Sequence, residues 1–109
     1  MRSVWFHADA NAEMTEAAQY YEQRAFGLGL SFLDAVEAAV DKVLQEPEAY
    51  ALVGAEVRRR LVDRFPYSLL YAIDGERIRI VAVAHHKRRP GYWRSRRREN
   101  VSYNEREAW

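Results

Sequence analysis

The spacing of apolar residues changes once along this chain, and that change restricts the fold more than any other feature of the sequence. Before Pro47, apolar side chains such as Phe32, Val36 and Val40 recur at the spacing of an amphipathic helix. From Val57 onward they alternate with polar side chains, which is typical of strands with one covered face. Proline cannot continue a helix, so the helical part ends at Pro47. The chain is therefore predicted to place its helices before most of its strands.

This pattern predicts an α+β fold, in which an antiparallel helix hairpin packs on a twisted, mainly antiparallel sheet. Gly27-Leu28-Gly29 separates the helices, and Asp74-Gly75 marks a tight turn between the last two strands. A short N-terminal strand is expected to join the sheet beside a later strand, and a three-stranded C-terminal meander completes it. The predicted elements are a strand over Ser3–His7, a helix that ends at Arg24, a helix over Ser31–Gln45, and strands over Val57–Arg64, Tyr67–Asp74 and Arg77–His85.

The last predicted strand alternates between two different faces. Because one of these faces mixes charged and apolar side chains, we expect it to be only partly covered within the monomer. The apolar core is expected to be complete by about His85. Residues 1–98 are therefore predicted to form a single domain, and residues 99–109 a disordered C-terminal tail. The first face of the strand is expected to hold Ile78, Ile80, Ala82 and Ala84, and the second Arg79, Val81, Val83 and His85.

Charged residues are divided unevenly between the two halves of the chain. Residues 1–56 hold ten acidic and three basic residues, and residues 57–109 hold six acidic and fourteen basic ones, for a net charge of +1. Such a division predicts an acidic half and a basic half with different partners. The chain has no cysteine, which excludes disulfides and thiolate metal sites. No apolar run approaches the roughly 20 residues of a membrane span, and the start is too poor in apolar residues for a signal peptide, so a cytoplasmic location is expected.

A basic and aromatic segment follows the last predicted strand. Between Lys87 and Arg98 the chain has seven basic residues, no acidic residue, and the pair Tyr92 and Trp93. Cations interleaved with aromatic side chains suit nucleic acid, and they equally suit an acidic protein surface. The alternative is a solubilising tail whose Trp93 folds back onto the domain. The residues predicted to bind a macromolecular target are Arg88, Arg89, Tyr92, Trp93 and Arg96.

Several local motifs follow one another along the predicted domain. They are Val57-Arg58-Arg59, Phe65-Pro66-Tyr67, Leu70-Tyr71, the strand from Ile78 to His85, and the ending His85-x-x-Arg88-x-Pro90-x-x-Trp93-x-x-Arg96. Upstream, Phe6 with Ala10, Tyr20-Tyr21 and Phe32-Leu33 mark the helix hairpin. In this order and spacing the motifs resemble the RelE/ParE toxin family, and more closely its ParE-like branch. The resemblance extends from about residue 3 to residue 97.

The resemblance implies the toxin of a type II toxin–antitoxin module, which arrests growth and is neutralised by a cognate, ParD-like antitoxin in a hetero-oligomer. ParE-like toxins inhibit DNA gyrase by protein binding and serve plasmid stabilization, so gyrase inhibition is the leading expectation. RelE-like relatives on the same fold are ribosome-dependent mRNA endonucleases, and fold alone does not choose between these activities. A third alternative is an inactive homologue that still binds antitoxin. No cofactor is implied.

The nuclease alternative needs a base, an acid and cations on one open face of the sheet. His85 is the candidate base, because histidine side chains in general can exchange a proton near neutral pH, and Arg58, Arg60 and Arg79 are the cations that could join it in a metal-independent reaction. The middle strand, Tyr67–Ile73, offers little further chemistry, and a histidine at a strand end can simply hydrogen-bond the backbone. We therefore expect a binding protein more than an enzyme.

Two further expectations concern metals and the antitoxin. No metal site is expected, because the adjacent His85 and His86 point to opposite sides of a strand. An antitoxin segment is expected to wrap the helix hairpin and an exposed face of the sheet, folding as it binds. The antitoxin-binding residues are then Arg58, Arg60, Tyr71, Arg79, Val81 and Val83.

Overall fold

Two helices cover one face of a six-stranded sheet in this computed structural model, which describes residues 2–96 and 101–107. The elements are β1 (Ser3–His7), α1 (Ala8–Arg24), α2 (Leu28–Gln45), β2 (Leu52–Gly54), β3 (Val57–Val62), β4 (Tyr67–Asp74), β5 (Arg77–His85) and β6 (Val101–Glu107). The strands follow the order β2-β3-β4-β5-β1-β6, in which β1 is parallel to β5 and the other neighbouring pairs are antiparallel. The predicted α+β fold is confirmed, including the N-terminal strand beside a later one.

The turn between the helices is tighter than predicted, because α2 begins at Leu28. Gly27 has φ of +83°, and the Glu22 carboxylate accepts hydrogen bonds from the backbone N–H groups of Gly27 and Gly29, both at 2.9 Å. The N-terminus of α2 therefore receives its acceptors from the side chain of α1. A Cβ at Gly29 would lie 2.5 Å from the carbonyl oxygen of Ala18, so the two helices approach too closely there for any other residue.

The side of the sheet under the two helices, called here the helix face, holds the larger core. Phe32 is its centre: its side chain is fully buried, and its ring lies 5.4, 5.2 and 5.0 Å from those of Tyr21, Phe65 and Tyr67. Burial of large side chains supplies most of the stabilisation, and each aromatic pair adds about 0.5–1.5 kcal/mol. The strand residues beneath the helices are Val4, Phe6, Val62, Leu69, Tyr71, Ile78, Ile80 and Val83.

A β-bulge at Val81 changes the faces predicted for β5. In the ladder with β4, Leu70 pairs with Ala82 and Tyr71 pairs with Ile80, so Val81 has no opposite residue. One extra residue reverses the alternation on either side of it. The predicted grouping of Ala82 and Ala84 with Ile80 is therefore wrong. Val83 faces the helices, while Val81, Ala82 and Ala84 belong to the core of the opposite side.

The side of the sheet away from the helices, called here the far face, is covered by residues 86–96, the C-terminal segment. Trp93 of this segment is 6% exposed and packs on the small side chains of the far face. The expectation that the core is complete by His85 is therefore wrong. Three alanines leave a shallow apolar surface that an indole can fill. The strand residues in this second core are Val57, Leu70, Ala72, Val81, Ala82 and Ala84.

Both edges of the sheet extend beyond the prediction. Strand β2 lies in the predicted loop over 48–56, and β3 ends at Val62 because Arg64 adopts φ of +70°. Residues 101–107, predicted as part of a disordered tail, form β6 along β1, whose outer edge is otherwise open to pairing. The rest of that predicted tail, residues 99, 100, 108 and 109, lies outside the described residues. Neither helix in the described part of the chain is long and apolar enough to cross a membrane.

Candidate functional site

Glu13 of α1 fixes the C-terminal segment to the domain. Its carboxylate accepts hydrogen bonds from the Tyr92 hydroxyl at 2.8 Å and from both terminal nitrogens of Arg96, at 2.8 and 3.0 Å. It also accepts one from the backbone N–H of Val83 at 3.0 Å. Glu13 and Arg96 are 15% and 10% exposed, so the pair is largely removed from water. Paired charges with several hydrogen bonds hold a fixed geometry in such a setting.

The position of Glu13 follows from a gap in the sheet. Strand β1 ends at His7 and pairs with β5 only as far as Ile80, so the edge of β5 beyond Ile80 lacks a neighbouring strand. The Val83 N–H at this edge donates to Glu13, and the Val81 carbonyl accepts from Arg96 at 3.0 Å. Buried backbone groups need partners, and here two side chains replace the missing strand.

Burial and charge shift the acid–base behaviour of these groups. Burial, and then the hydrogen bond to Glu13, raises the pKa of Tyr92. Burial opposes the charge of Arg96, but the hydrogen bonds and charge of Glu13 outweigh it and raise the pKa of Arg96. Arg88 completes the cluster, with its guanidinium 3.8 Å from the Tyr92 ring centroid and 3.7 Å from the Glu13 carboxylate. Tyr92 therefore stays neutral and Arg96 stays charged across the physiological pH range.

His7 lies beside this cluster and is 2% exposed. Its Nδ1 accepts a hydrogen bond from the backbone N–H of Asp9 at 3.0 Å, so the neutral ring carries its proton on Nε2. That Nε2 has no hydrogen-bond partner among the described residues. Burial lowers the pKa of His7, the charge of Asp9 partly opposes the shift, and the charges of Arg96 and Arg79 lower it further. Protonation of His7 is therefore disfavoured in the folded chain.

A cavity of about 270 Å³, called here the basic cleft, opens between the far face and the C-terminal segment. Among residues 2–96, its lining includes four arginines and two histidines and no acidic residue. Ser68 at the base is 2% exposed, and its hydroxyl forms a 3.0 Å hydrogen bond with Nε2 of His86. The apolar part of the lining comes from Val53, Leu70, Ala84 and Trp93, and the guanidinium groups belong to Arg59, Arg88, Arg89 and Arg94.

The predicted target-binding residues divide into two groups. Arg88 and Arg89 are exposed on the C-terminal segment. Trp93 is buried on the far face, and Tyr92 and Arg96 bind Glu13, so these three hold the segment in place. The alternative that Trp93 folds back onto the domain describes its position, while a target contact by the exposed arginines stays a prediction.

The four predicted nuclease residues do not come together. Arg58 lies opposite Tyr71 and donates to the Tyr50 carbonyl, and Arg60 lies over the Tyr50 ring, so both are on the helix-face side. Arg79 lies opposite Ala72 and is therefore on the far face, where it pairs with Asp74 at 3.1 Å. His85 packs against Tyr67 on the helix-face side, with ring centroids 5.0 Å apart, and its Nδ1 accepts from the Lys87 N–H. The expectation that these groups share one region is wrong, because strand alternation separates them.

Most of the predicted antitoxin-binding residues are buried within this chain. Tyr71, Arg79, Val81 and Val83 are 0%, 9%, 2% and 1% exposed, and only Arg58 and Arg60 reach the surface, in part. The Tyr71 hydroxyl donates to the Pro47 carbonyl, and burial raises the pKa of Tyr71 to about 12. The expectation that these residues form an exposed sheet face is therefore wrong, since helices cover one face and the C-terminal segment the other. A role in antitoxin binding is untested for all six.

The largest exposed apolar side chains lie instead on the helix hairpin. Phe26 is fully exposed, Leu30 is 64% exposed, and Tyr20 and Leu33 are 49% and 37% exposed. We call these four residues the hairpin surface. A shallow groove lined by Leu30 and Leu33 runs between the two helices. In the sequence, Tyr20-Tyr21 and Phe32-Leu33 mark this region only as the helix hairpin.

Sequence reasoning missed Glu13, Ser68, Arg59 and Arg94. A single glutamate in an acidic helix gives no local sign that it will pair with a residue near the C-terminus. Ser68 and Arg59 could have been placed on one face with Leu70 by strand alternation alone, because the β3–β4 ladder is regular. Among residues 2–96, no three His, Asp or Glu side chains cluster as possible metal ligands.

Comparisons with known proteins agree with this geometry. Residues 4–90 match the family described as the ParE toxin of the type II toxin–antitoxin system, parDE. A solved structure titled as the chromosomal ParDE TA system from P. aeruginosa has a chain similar in fold, with a TM-score of 0.64 and 21% identity. The match covers 78% of this chain and 96% of that one. No match was found among curated proteins.

Proposed function

Because the chain belongs to the ParE toxin family of type II toxin–antitoxin systems, we propose that it is the toxin of such a module and arrests growth by binding DNA gyrase. The observation that carries binding over mRNA cleavage is the separation of the four nuclease candidates. Arg79 is on the far face, whereas Arg58 and His85 are on the helix-face side. General acid–base cleavage needs a base and cations within reach of one phosphate, and these four residues do not provide that arrangement.

The proposed gyrase contact is the exposed side of the C-terminal segment. Arg89 is exposed on it, Arg88 is exposed in part beside Tyr92 and Glu13, and Trp93 and Arg96 anchor its backbone to the domain. A preorganised segment loses little conformational freedom when it binds, and exposed guanidinium groups favour encounter with an acidic protein surface. This arrangement supports a role in recognising the target rather than in catalysis.

We propose further that a cognate, ParD-like antitoxin covers the hairpin surface. Apolar side chains as exposed as Phe26 and Leu30 are usual at protein interfaces, and the groove between the helices suits an amphipathic helix. Residues 1–56 carry ten acidic and three basic residues, so a basic antitoxin segment is expected. The antitoxin and gyrase would then contact different sides of the domain.

The gyrase proposal is tested with purified toxin, gyrase and translating ribosomes. We expect the toxin to inhibit supercoiling or to trap gyrase-cleaved plasmid, and to leave ribosome-bound mRNA intact. Arg88→Ala with Arg89→Ala should weaken this effect, while Arg24→Ala with Lys42→Ala, which removes the same charge from the helices, should not. His85→Ala should also leave gyrase inhibition intact, because inhibition by binding needs no general base. In a nuclease, loss of the general base would cost about 100- to 10,000-fold in rate. Cleavage of mRNA by the parent and its loss in a folded His85→Ala variant would overturn the proposal.

The antitoxin proposal is tested by co-expression with the small protein encoded beside the toxin. Leu30→Glu should abolish rescue of growth and co-purification, because it places a charge in the proposed apolar contact. Leu61→Glu is the matched control, since Leu61 is 48% exposed on β3, outside the hairpin surface. Parent proteins that purify separately at micromolar concentration, or equal loss in both variants, would contradict the assignment.

A further inference from the structure

We propose that the basic cleft binds the phosphate groups of a single nucleic-acid strand. This goes beyond the proposed function, because the ligand is a nucleic acid and not the protein surface assigned above to Arg88 and Arg89. The cleft shares Arg88 and Arg89 with that proposed contact, but Arg59 and Ser68 lie outside it. The cleft lies under the C-terminal segment, and its base and opposite wall come from β2, β3 and β4, through Val53, Arg59 and Ser68.

The charge of the cleft is the first observation that supports a phosphate ligand. Within the part of the chain whose side chains are described, four guanidinium groups line it and no carboxylate does. Arg88 reaches Glu13, but within residues 2–96 no acidic side chain pairs with Arg59, Arg89 or Arg94. Planar guanidinium groups bind phosphate oxygens through paired N–H donors. An uncompensated group of them around one cavity attracts a polyanion more strongly than an isolated surface arginine does.

The neutral groups of the cleft fit the same ligand. Ser68 and His86 form a hydrogen-bonded pair at its base, where a hydroxyl or ring N–H can donate to an anionic oxygen. Val53, Leu70 and Ala84 supply an apolar lining between the cations. An unpaired nucleotide presents both an anionic phosphate and an apolar base face, whereas the bases of a duplex are stacked inside it. A single strand therefore matches the mixture of groups in the cleft.

The backbone around Arg94 is the second independent observation. A Cβ at Gly91 would lie 2.8 Å from Nε of Arg94, and a Cβ at Gly54 would lie 3.0 Å from one of its terminal nitrogens. Both glycines also have positive φ, +77° and +135°, which other residues rarely adopt. The Arg94 side chain therefore spans from the C-terminal segment to β2, in space that two glycines leave open. The Arg94 guanidinium therefore lies between the C-terminal segment and β2, and Arg94 lines the cleft.

A nucleic acid fits better than an acidic peptide. One carboxylate offers two acceptor oxygens and satisfies a single guanidinium, whereas consecutive phosphates of one strand can each meet a different arginine. Binding should then depend strongly on salt, because each phosphate contact releases a counterion. In a plot of log affinity against log salt concentration, the steepness of the slope should decrease by about 0.7 for each contact that is removed.

The test is equilibrium binding of fluorescein-labelled oligonucleotides to the purified full chain, measured by anisotropy over a range of salt concentrations. Arg59→Ala and Arg94→Ala should each weaken binding several-fold and lower the salt slope by about 0.7. Arg24→Ala, which removes the same charge from the end of α1, should change neither. Arg59→Lys should keep most of the salt slope, because the charge remains. Ser68→Ala should weaken binding and leave the salt slope unchanged. Matched DNA and RNA strands identify which nucleic acid is preferred.

Three outcomes would overturn the proposal. They are equal loss of binding in Arg24→Ala, unchanged binding in both cleft variants, and tighter binding of an acidic peptide of the same charge than of the oligonucleotide. Circular dichroism and thermal melting show whether each variant is folded, and Arg59→Lys provides a second readout if Arg59→Ala is not. The assay contains neither gyrase nor ribosomes, so its failure is distinct from failure of the proposed function.

Discussion

The two faces of the sheet are covered by different kinds of contact. On the helix face, large side chains such as Phe6, Phe32 and Tyr71 are fully buried against two helices. On the far face, Trp93 covers alanines and valines, and a carboxylate on α1 holds the rest of the C-terminal segment. Apolar burial is non-directional and distributed over many residues, whereas the far face depends on a few directional hydrogen bonds. The far face should therefore open without unfolding the domain, and the helix face should not.

The difference matters for function because each face supports its own proposed partner. The hairpin surface lies on the helices that cover the larger core, and the basic cleft lies under the C-terminal segment, which we expect to open first. Regions that bind targets are often drawn from the less stable end of a protein. Single substitutions can test whether the two faces separate in this way.

The largest expected effect comes from Phe32→Ala. Removing a fully buried ring leaves a cavity among three other aromatic rings and should lower the free energy of unfolding by about 4 kcal/mol. The whole chain should lose stability in one cooperative step during urea unfolding. Leu33→Ala is the control, since Leu33 is 37% exposed and its loss should cost much less. If one helix of Phe32→Ala unfolds at lower urea concentration than the rest of the chain, the helix face can open separately and the contrast between the two faces is wrong.

Trp93→Ala should have the next largest effect, about 3 kcal/mol, because the indole is 6% exposed over a shallow core of small residues. Limited proteolysis should cut the C-terminal segment faster while the helix hairpin stays protected. Trp93→Phe should restore part of the stability. If Trp93→Ala melts like the parent but loses gyrase inhibition, Trp93 contacts the target directly and the assignment to the core is wrong.

Glu13→Gln should lower stability by about 2 kcal/mol, because it removes the charge that pairs with a largely buried Arg96. Hydrogen exchange of the amides in residues 92–96 should rise more than that of β4. Glu16→Gln is the matched control, since Glu16 is an exposed residue of the same helix. Equal protection of the segment in both variants would show that Glu13 does not hold it.

The smallest expected effect concerns His7 and pH. Its pKa is lowered in the folded chain below the ordinary value of 6.5, so the unfolded chain binds a proton more readily as the pH falls below 6.5. The stability that His7 contributes is present above that pH and is lost as the pH falls through the folded pKa. Urea unfolding at several pH values below 6.5 should show that the free energy of unfolding depends less on pH in His7→Gln than in the parent. Identical slopes would contradict this prediction.

Much of the fold was predictable because its signals are local. The limits of β1, β4 and β5 agree with the predicted strands, since alternation and the Asp74-Gly75 turn define them. Strands β2 and β6 were missed, because short edge strands have little periodicity of their own. The site was predicted less well. The sequence located the cations of the C-terminal segment but not the direction in which each one points.

The sequence by itself determined the order of the elements, the acidic and basic halves, and the resemblance to a toxin family, since each depends on composition or on neighbours along the chain. Tertiary structure decided the bulge at Val81, the burial of Trp93 and the division of the arginines between two faces. Glu13 and Arg96 are 83 residues apart, and their pairing exists only because β1 ends before β5 does. Local propensity carries no information about such contacts, because their energy depends on which groups the complete fold brings together out of water.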